Sequence, residues 1–491
     1  MGESKGVVAA GHPLTAEAGA QVLRDGGNAV DAAVAACLAS WACEPLLTGP
    51  GAGGYMLVAG AGEEPTLLDF FISAPSHGER CDLMPVTVSF GEAVQVFNVG
   101  AASCGVYGNP AGLDAAAKRW GTVGLAELAA PAVELARAGV ELQTEAAYIY
   151  EILEPILVST PEARAVFAPD GHILRPGDKF HTPELADTIE RFGAEGAKPF
   201  YEGDIAGAVS EHVQAGGGTL TTDDLKAYAA IAREPAEATY RGREVLTNPP
   251  PSAGGVLLAL ALAQLDRLTP DGAPRPEQLA EVMRNAENTR NHEFDSGLNE
   301  LGFLERFLAN NLGSTTHISV LDSDGRACSL TCTNGEGSGL VVPGLGIHVN
   351  NVMGEEDLNP LGFFRLDAGE RMPSMMAPTV VLGDSGVELV VGSAGSNRIR
   401  SAILQTIVGV VDHELDAQAA IEAPRLHFEN GVVYAEPGIE LDALRDGPDT
   451  LAPFRDFNLF FGGVQAVRRD PATGAVTGGG DPRRGGAVVV A

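Results

Sequence analysis

Residues 311–334 read NLGSTTHISVLDSDGRACSLTCTN, and no other stretch constrains the chain as tightly. Two strand-forming runs, 316–322 and 327–333, flank Ser323-Asp324-Gly325, where Asp and Gly suit the positive φ of a tight hairpin turn. A three-residue loop centred on Asp324 places Thr315 directly opposite Thr333, whereas a two-residue loop shifts the register by one. Opposed Cβ atoms on neighbouring strands stand roughly 4.5–5.5 Å apart. A threonine-rich exposed strand accounts for these residues in a plain way. The sharper reading is a chain cut before Thr315. Threonine is a weak nucleophile without an adjacent base. A new N-terminus supplies one, because an α-amino group titrates at about 7.7–8.0.

The rest of the pattern reads as alternating layers. His12-Pro13-Leu14 leads to Thr15 as an N-cap with Glu17 in the first turn, and Gly26-Gly27 ends that helix. Asn28 then caps AVDAAVAACLASWA, a small-residue helix suited to close packing on a sheet. Gly49-Pro-Gly-Ala-Gly-Gly54 satisfies G-x-G-x-x-G, but a helix precedes it and a strand follows. That is the reverse of a dinucleotide site, so a tight loop is expected. Residues 110–310 read as largely helical, around 113–140, 145–158, 183–193 and 255–310. After 315 come short strands at 316–322, 327–333, 346–351, 378–382 and 388–392, with one helix at 397–412. Strands in both halves with helices outside predict an α/β layered sandwich.

A formal net charge of −33 over 491 residues disfavours nucleic acid and anionic membranes as partners. No run of about 18 uncharged apolar residues suggests a membrane span. Cysteines 37, 43, 81, 104, 328 and 332 lack metal-site spacing and read as free thiols. With no basic-then-apolar leader after Met1, a cytoplasmic location is expected.

Six segments occur in one order: HPLTAEAGAQVLRDGGNAVDAAVAA, EPLLTGPGAGGYMLV, NPPPSAGG, TTHISVLDSDGRACSLT, NNVMGEEDL and GSAGSNRI. Together they closely resemble the γ-glutamyltranspeptidase family across nearly the whole chain. The resemblance implies an N-terminal-nucleophile hydrolase fold, a four-layer αββα sandwich. It also implies self-cleavage between Ser314 and Thr315. The products would be a large subunit 1–314 and a small subunit 315–491, intertwined as one domain, with a homodimer of such heterodimers as the larger assembly. Thr315 would be the nucleophile, and Thr333 its support. Gly395 and Ser396 match the paired glycines of the family's GSPGG oxyanion loop. Asn334 and Glu355 match positions that hold a substrate α-amino group, with Glu355 where aspartate is usual. Ser374 matches the first of two carboxylate-binding serines, and Met375 replaces the second. The substrate would be a small γ-glutamyl compound or amide, and no metal or organic cofactor is implied. GDPRRGG at 480–486 resembles a C-terminal family motif, read as structural.

One departure matters. Glutamate-specific members place an arginine in a D-F-R-E-x-A-P segment, and here LDFFISAP puts Phe71 in its place. Losing one partner of a buried ion pair costs about 2–5 kcal/mol. Arg365 and Arg371 are candidate replacement cations, against the plain reading of solvated arginines. The expected chemistry is therefore hydrolysis or transfer of a γ-glutamyl or related acyl amide through an acyl-enzyme. Alternatives are an amidase for an oxamate-like amide, a cephalosporin-acylase-like enzyme, or an unprocessed binding pseudoenzyme.

Overall fold

A computed structural model describes residues 4–89, 94–270, 272–288, 315–359 and 361–491. Ser314 and the expected helical residues 289–310 lie outside the described residues. Two antiparallel sheets form the centre. The first runs Ala487–Val490, Gly6–Ala10, Thr316–Asp322, Arg326–Thr333, Gly53–Gly60, Glu63–Phe70 and Ile231–Arg233 in spatial order. The second runs Val476–Gly480, Gly463–Arg469, Gly386–Ala394, Thr379–Gly383, Arg243–Thr247 and Ala236–Tyr240.

Helices cover both outer faces. Pro13–Arg24 and Ala29–Cys43 pack on the first sheet, while Ala253–Leu268 and Arg398–Val411 pack on the second. The αββα order is as expected from the resemblance. Every residue of Ala29–Cys43 is buried. Its alanines permit that, and Asn28 and Asp31 close a reciprocal capping box at its start. Asp322 joins this helix to the hairpin. Its Oδ2 accepts from Ala29 N–H at 3.0 Å, and its Oδ1 accepts from Asp324 and Arg326 N–H at 3.0 and 2.9 Å.

Several expectations shift. The first helix starts at Pro13, not after Thr15, because proline's fixed φ suits the first helical position. His12 is the cap, its Nδ1 accepting from Leu14 N–H at 3.1 Å, and Thr15 is buried within the helix. The described residues of 110–310 hold five unforeseen strands: the short pair Val140–Glu141 and Lys179–Phe180, and Ile231–Arg233, Ala236–Tyr240 and Arg243–Thr247 in the two central sheets. For Ala236–Tyr240 and Arg243–Thr247 the local signal is the Arg241-Gly242 turn between them, where both residues take positive φ. The expected strand at 346–351 shrinks to Ile347–His348, and the following asparagines lie in a loop.

Candidate active site

The hairpin has the three-residue register: Thr316 pairs with Cys332 and Leu321 with Ala327. One step further along that register sets Thr315 against Thr333, and Thr333 pairs with Gly53. Gly54 pairs with Phe70, so the next step sets Gly53 against Phe71. Thr315, Thr333, Gly53 and Phe71 thus form one cross-strand row, and residues level in register share a sheet face. His317 shares that face, which turns toward the second sheet: a Cβ on Gly392 would lie 2.3 Å from the imidazole. The strand is buried, not exposed.

Thr315 Oγ1 is sealed from solvent and has no hydrogen-bond partner among the described residues. Thr333 Oγ1 accepts from Gly335 N–H at 2.8 Å, which orients the hydroxyl and leaves its proton to donate. Behind this pair, His317 Nδ1 meets Thr331 Oγ1 at 2.7 Å and its Nε2 meets Ser319 Oγ at 2.9 Å. Burial pushes the imidazole down to about 3, so it is neutral and structural. On the opposite face, Thr316 Oγ1 donates to Glu44 Oε2 at 3.1 Å. Burial raises the Glu44 carboxyl to about 7, and the Thr316 bond opposes that rise.

The loop after Thr333 supplies a second orphaned group. Asn334 is fully buried, yet neither its Oδ1 nor its Nδ2 has a partner among the described residues. Its backbone is held, with N–H donating to Leu47 O at 2.9 Å. Gly335 follows with φ of 62°, and a Cβ there would stand 2.5 Å from Glu355 Oε1. Glu355 therefore lies against the glycine that follows Asn334. A buried amide with both ends open suits a ligand that offers a donor and an acceptor together.

Gly395 and Ser396 connect strand Gly386–Ala394 to helix Arg398–Val411. Their φ values are 118° and 56°. The serine thus occupies a left-handed conformation that glycine adopts freely and other residues adopt at a cost of roughly 1–2 kcal/mol. Its N–H survives the replacement. Ser374 Oγ accepts from Met376 N–H at 3.0 Å, and its carbonyl accepts from Ala253 and Gly254 N–H, tying it to the NPPPSAGG segment. Met375 packs with Ala253 and Leu257 in the core beneath the outer helices.

Phe71 is fully buried and stacks on Tyr55, ring centroids 5.5 Å apart. Neither expected cation stands open beside it. Arg365 is exposed. Arg371 is buried, not solvated: it sits 3.3 Å from Asp69, donates to Ala229 O at 2.5 Å and covers the Tyr228 ring. Arg484 belongs to the GDPRRGG segment expected to be structural. Arg483 beside it is structural, bonded to Glu436 and Asp481. Arg484 instead reaches toward the 395–396 loop. Its Nη2 would lie 3.2 Å from a Cβ on Gly395, while its Nε is sealed from solvent with no partner among the described residues.

A family profile described as Gamma-glutamyltranspeptidase matches residues 15–300 and 295–491. The chain is 30% identical over 540 residues to the glutathione hydrolase proenzyme of Bacillus subtilis (strain 168), covering 99% of this chain and 91% of that protein. It is also 30% identical over 472 residues to the Acylase ACY 1 proenzyme of Pseudomonas sp. (strain SE83), covering 89% and 85%. Among solved structures, cephalosporin acylase from Bacillus halodurans superposes with a TM-score of 0.82 at 26% identity, covering 99% of this chain and 96% of that one. The match spans both sheets and both sides of Thr315: this chain belongs to the gamma-glutamyltranspeptidase family of N-terminal-nucleophile hydrolases and acyltransferases.

Proposed function

We propose that the chain cuts itself between Ser314 and Thr315, and that Thr315 then cleaves a small acyl amide through an acyl-enzyme. The observation that carries this reading is the sealed Thr315 Oγ1, without a partner among the described residues and set level with Thr333 by the hairpin register. The freed α-amine takes the Thr315 hydroxyl proton as Oγ attacks the substrate carbonyl carbon. It then passes that proton to the departing amine nitrogen. Thr333, oriented by Gly335, donates to Thr315 Oγ. The amides of Gly395 and Ser396 receive the oxyanion, each such donor contributing about 2.7–4 kcal/mol in the transition state. Water, or an acceptor amine, releases the acyl group.

Asn334 and Glu355 recognise a polar group on the substrate, and Ser374 contributes its hydroxyl from the segment that precedes strand Thr379–Gly383. Both of these relatives are proenzymes, which supports self-processing. The stacked Phe71–Tyr55 wall favours an acyl group held without the usual arginine, as the likeness to an acylase also suggests. Two chains, 1–314 and 315–491, remain together as one body. Among the described residues no helix is long and apolar enough to cross a membrane. Six unpaired thiols support a reducing compartment. The test is turnover of γ-glutamyl-p-nitroanilide and simple acyl p-nitroanilides by wild type and Thr315→Ala. Loss of all turnover in the variant is expected; retained turnover contradicts the assignment.

A further inference from the structure

We infer that Glu44 is a positioning residue for the nucleophile: its carboxylate, acting through Thr316, pins the chain end that a cut before Thr315 creates. This rests on the Thr315 reading but concerns a residue that works from the opposite face of the strand. Glu44 ends the helix Ala29–Cys43, and its N–H donates to Ser40 O at 2.7 Å. Its carbonyl accepts from Leu47 and Thr48 N–H at 2.9 and 3.2 Å. The turn so formed reaches both hairpin strands and the loop beyond. Glu44 Oε2 accepts from Thr316 Oγ1 at 3.1 Å, Thr48 Oγ1 meets Cys332 Sγ at 3.1 Å, and Leu47 O accepts from Asn334 N–H at 2.9 Å. Thr316 and Cys332 are partners in register, so the turn backs the end of the hairpin that carries Thr315 and Thr333.

Before the cut, Thr315 is held from both sides by the chain. Afterwards it is a terminus, and a terminus frays unless something ties it. The Thr316–Glu44 bond is the tie beside it. The backbone leaves that bond its room: a Cβ on Gly11 would collide with Glu44 Oε1 and stand 3.1 Å from Thr316 Oγ1. A carboxylate is otherwise misplaced here, since burial and a helix C-terminus both disfavour negative charge. What the charge adds is strength, because a bond to an ionised acceptor is roughly twice as strong as a neutral one. A cavity of about 40 Å³ at the carboxyl has room for a water to carry its proton. The neighbouring groups hold their charge states near neutrality. Burial pushes His12 down to about 4 and the Cys43 thiol and Tyr150 phenol up, while Arg484, lowered by burial to about 10, stays charged. Cys37, on the same helix, is raised by its contact with Cys332 and by burial. Glu44, at about 7, therefore sets the pH at which the tie tightens.

The experiment follows kcat and KM against pH for wild type, Glu44→Gln and Thr316→Val, on whichever acyl p-nitroanilide wild type turns over fastest. The ratio of wild-type to Glu44→Gln kcat should climb about tenfold from roughly pH 5.5 to 8.5, with its midpoint near 7, while KM stays within about twofold. Thr316→Val should give the same climb, and the double variant should lose no more than either single one. A ratio flat in pH overturns the inference, because a packing defect does not titrate. Losses that add in the double variant overturn it too. If Glu44→Gln stays uncut, Thr316→Val alone carries the ratio test. If that also stays uncut, Thr316→Ser decides, since it keeps the donor: a cut and active serine variant supports the tie, and an uncut one overturns it. Turnover retained by Thr315→Ala strikes the Thr315 reading itself, whereas a flat ratio with Thr315→Ala inactive strikes Glu44 alone.

Discussion

Thr315 Oγ1 and the Asn334 amide are both buried without partners among the described residues, and each such orphan costs the folded chain about 1–3 kcal/mol. Groups held at that cost are poised for something that arrives later. On the proposed mechanism Thr333→Ala removes the donor to Thr315 Oγ but leaves Thr315 itself, so kcat should fall about 10- to 100-fold with processing slowed, as seen in a gel time course. If the α-amine is the base, kcat/KM must rise as that amine loses its proton, with a midpoint at or below about 8; a flat profile from pH 5 to 9 contradicts it. Glu44 gives a stability test of opposite sense. Its carboxyl is raised from 4.5 to about 7, so the folded state holds a proton that the unfolded state has released. Stability attributable to Glu44 is therefore present below pH 4.5 and lost as pH rises to 7. Glu44→Gln should flatten that window and raise Tm at pH 8 relative to wild type. Thermal melts from pH 4 to 8 check it.

At the scale of elements, the hairpin and the 395–396 loop set the geometry. Asp322 satisfies three backbone N–H groups at once, in the turn and at the start of helix Ala29–Cys43. Asp322→Ala should cost about 2–4 kcal/mol, measured by denaturant unfolding, because it strands buried donors. Ser396→Gly relieves a left-handed serine and should keep activity with stability raised by up to about 1 kcal/mol. Gly395→Ala, at φ of 118° and with a Cβ 2.7 Å from Gly462, should damage both. These elements also mark what the sequence could reveal. The hairpin register was legible because turn chemistry and strand alternation are local. So was the Ala29–Cys43 helix, with its cap and alanine run. The strands at 231–247 were hidden within a region read as helical, where pairing with distant strands overrides weak local preference. The placement of Arg371 and Arg484 was not legible at all. Two arginines of similar sequence character differ only in what folds beside them, Asp69 in one case and the Gly395 loop in the other.

Across the whole molecule, the first sheet interleaves strands from either side of position 315. Thr316–Asp322 pairs with Gly6–Ala10, Arg326–Thr333 with Gly53–Gly60, and Ala487–Val490 with Gly6–Ala10. The second sheet does the same through Arg243–Thr247 and Thr379–Gly383. A cut before Thr315 therefore leaves every ladder intact, and the two pieces should co-migrate under native conditions and separate only in denaturant. The most direct measurement is the intact mass of catalytically competent protein after denaturation. Two polypeptides are predicted, residues 1–314 and 315–491, with masses summing to the precursor plus one water. A single unbroken chain that still turns over amide substrates would contradict the account.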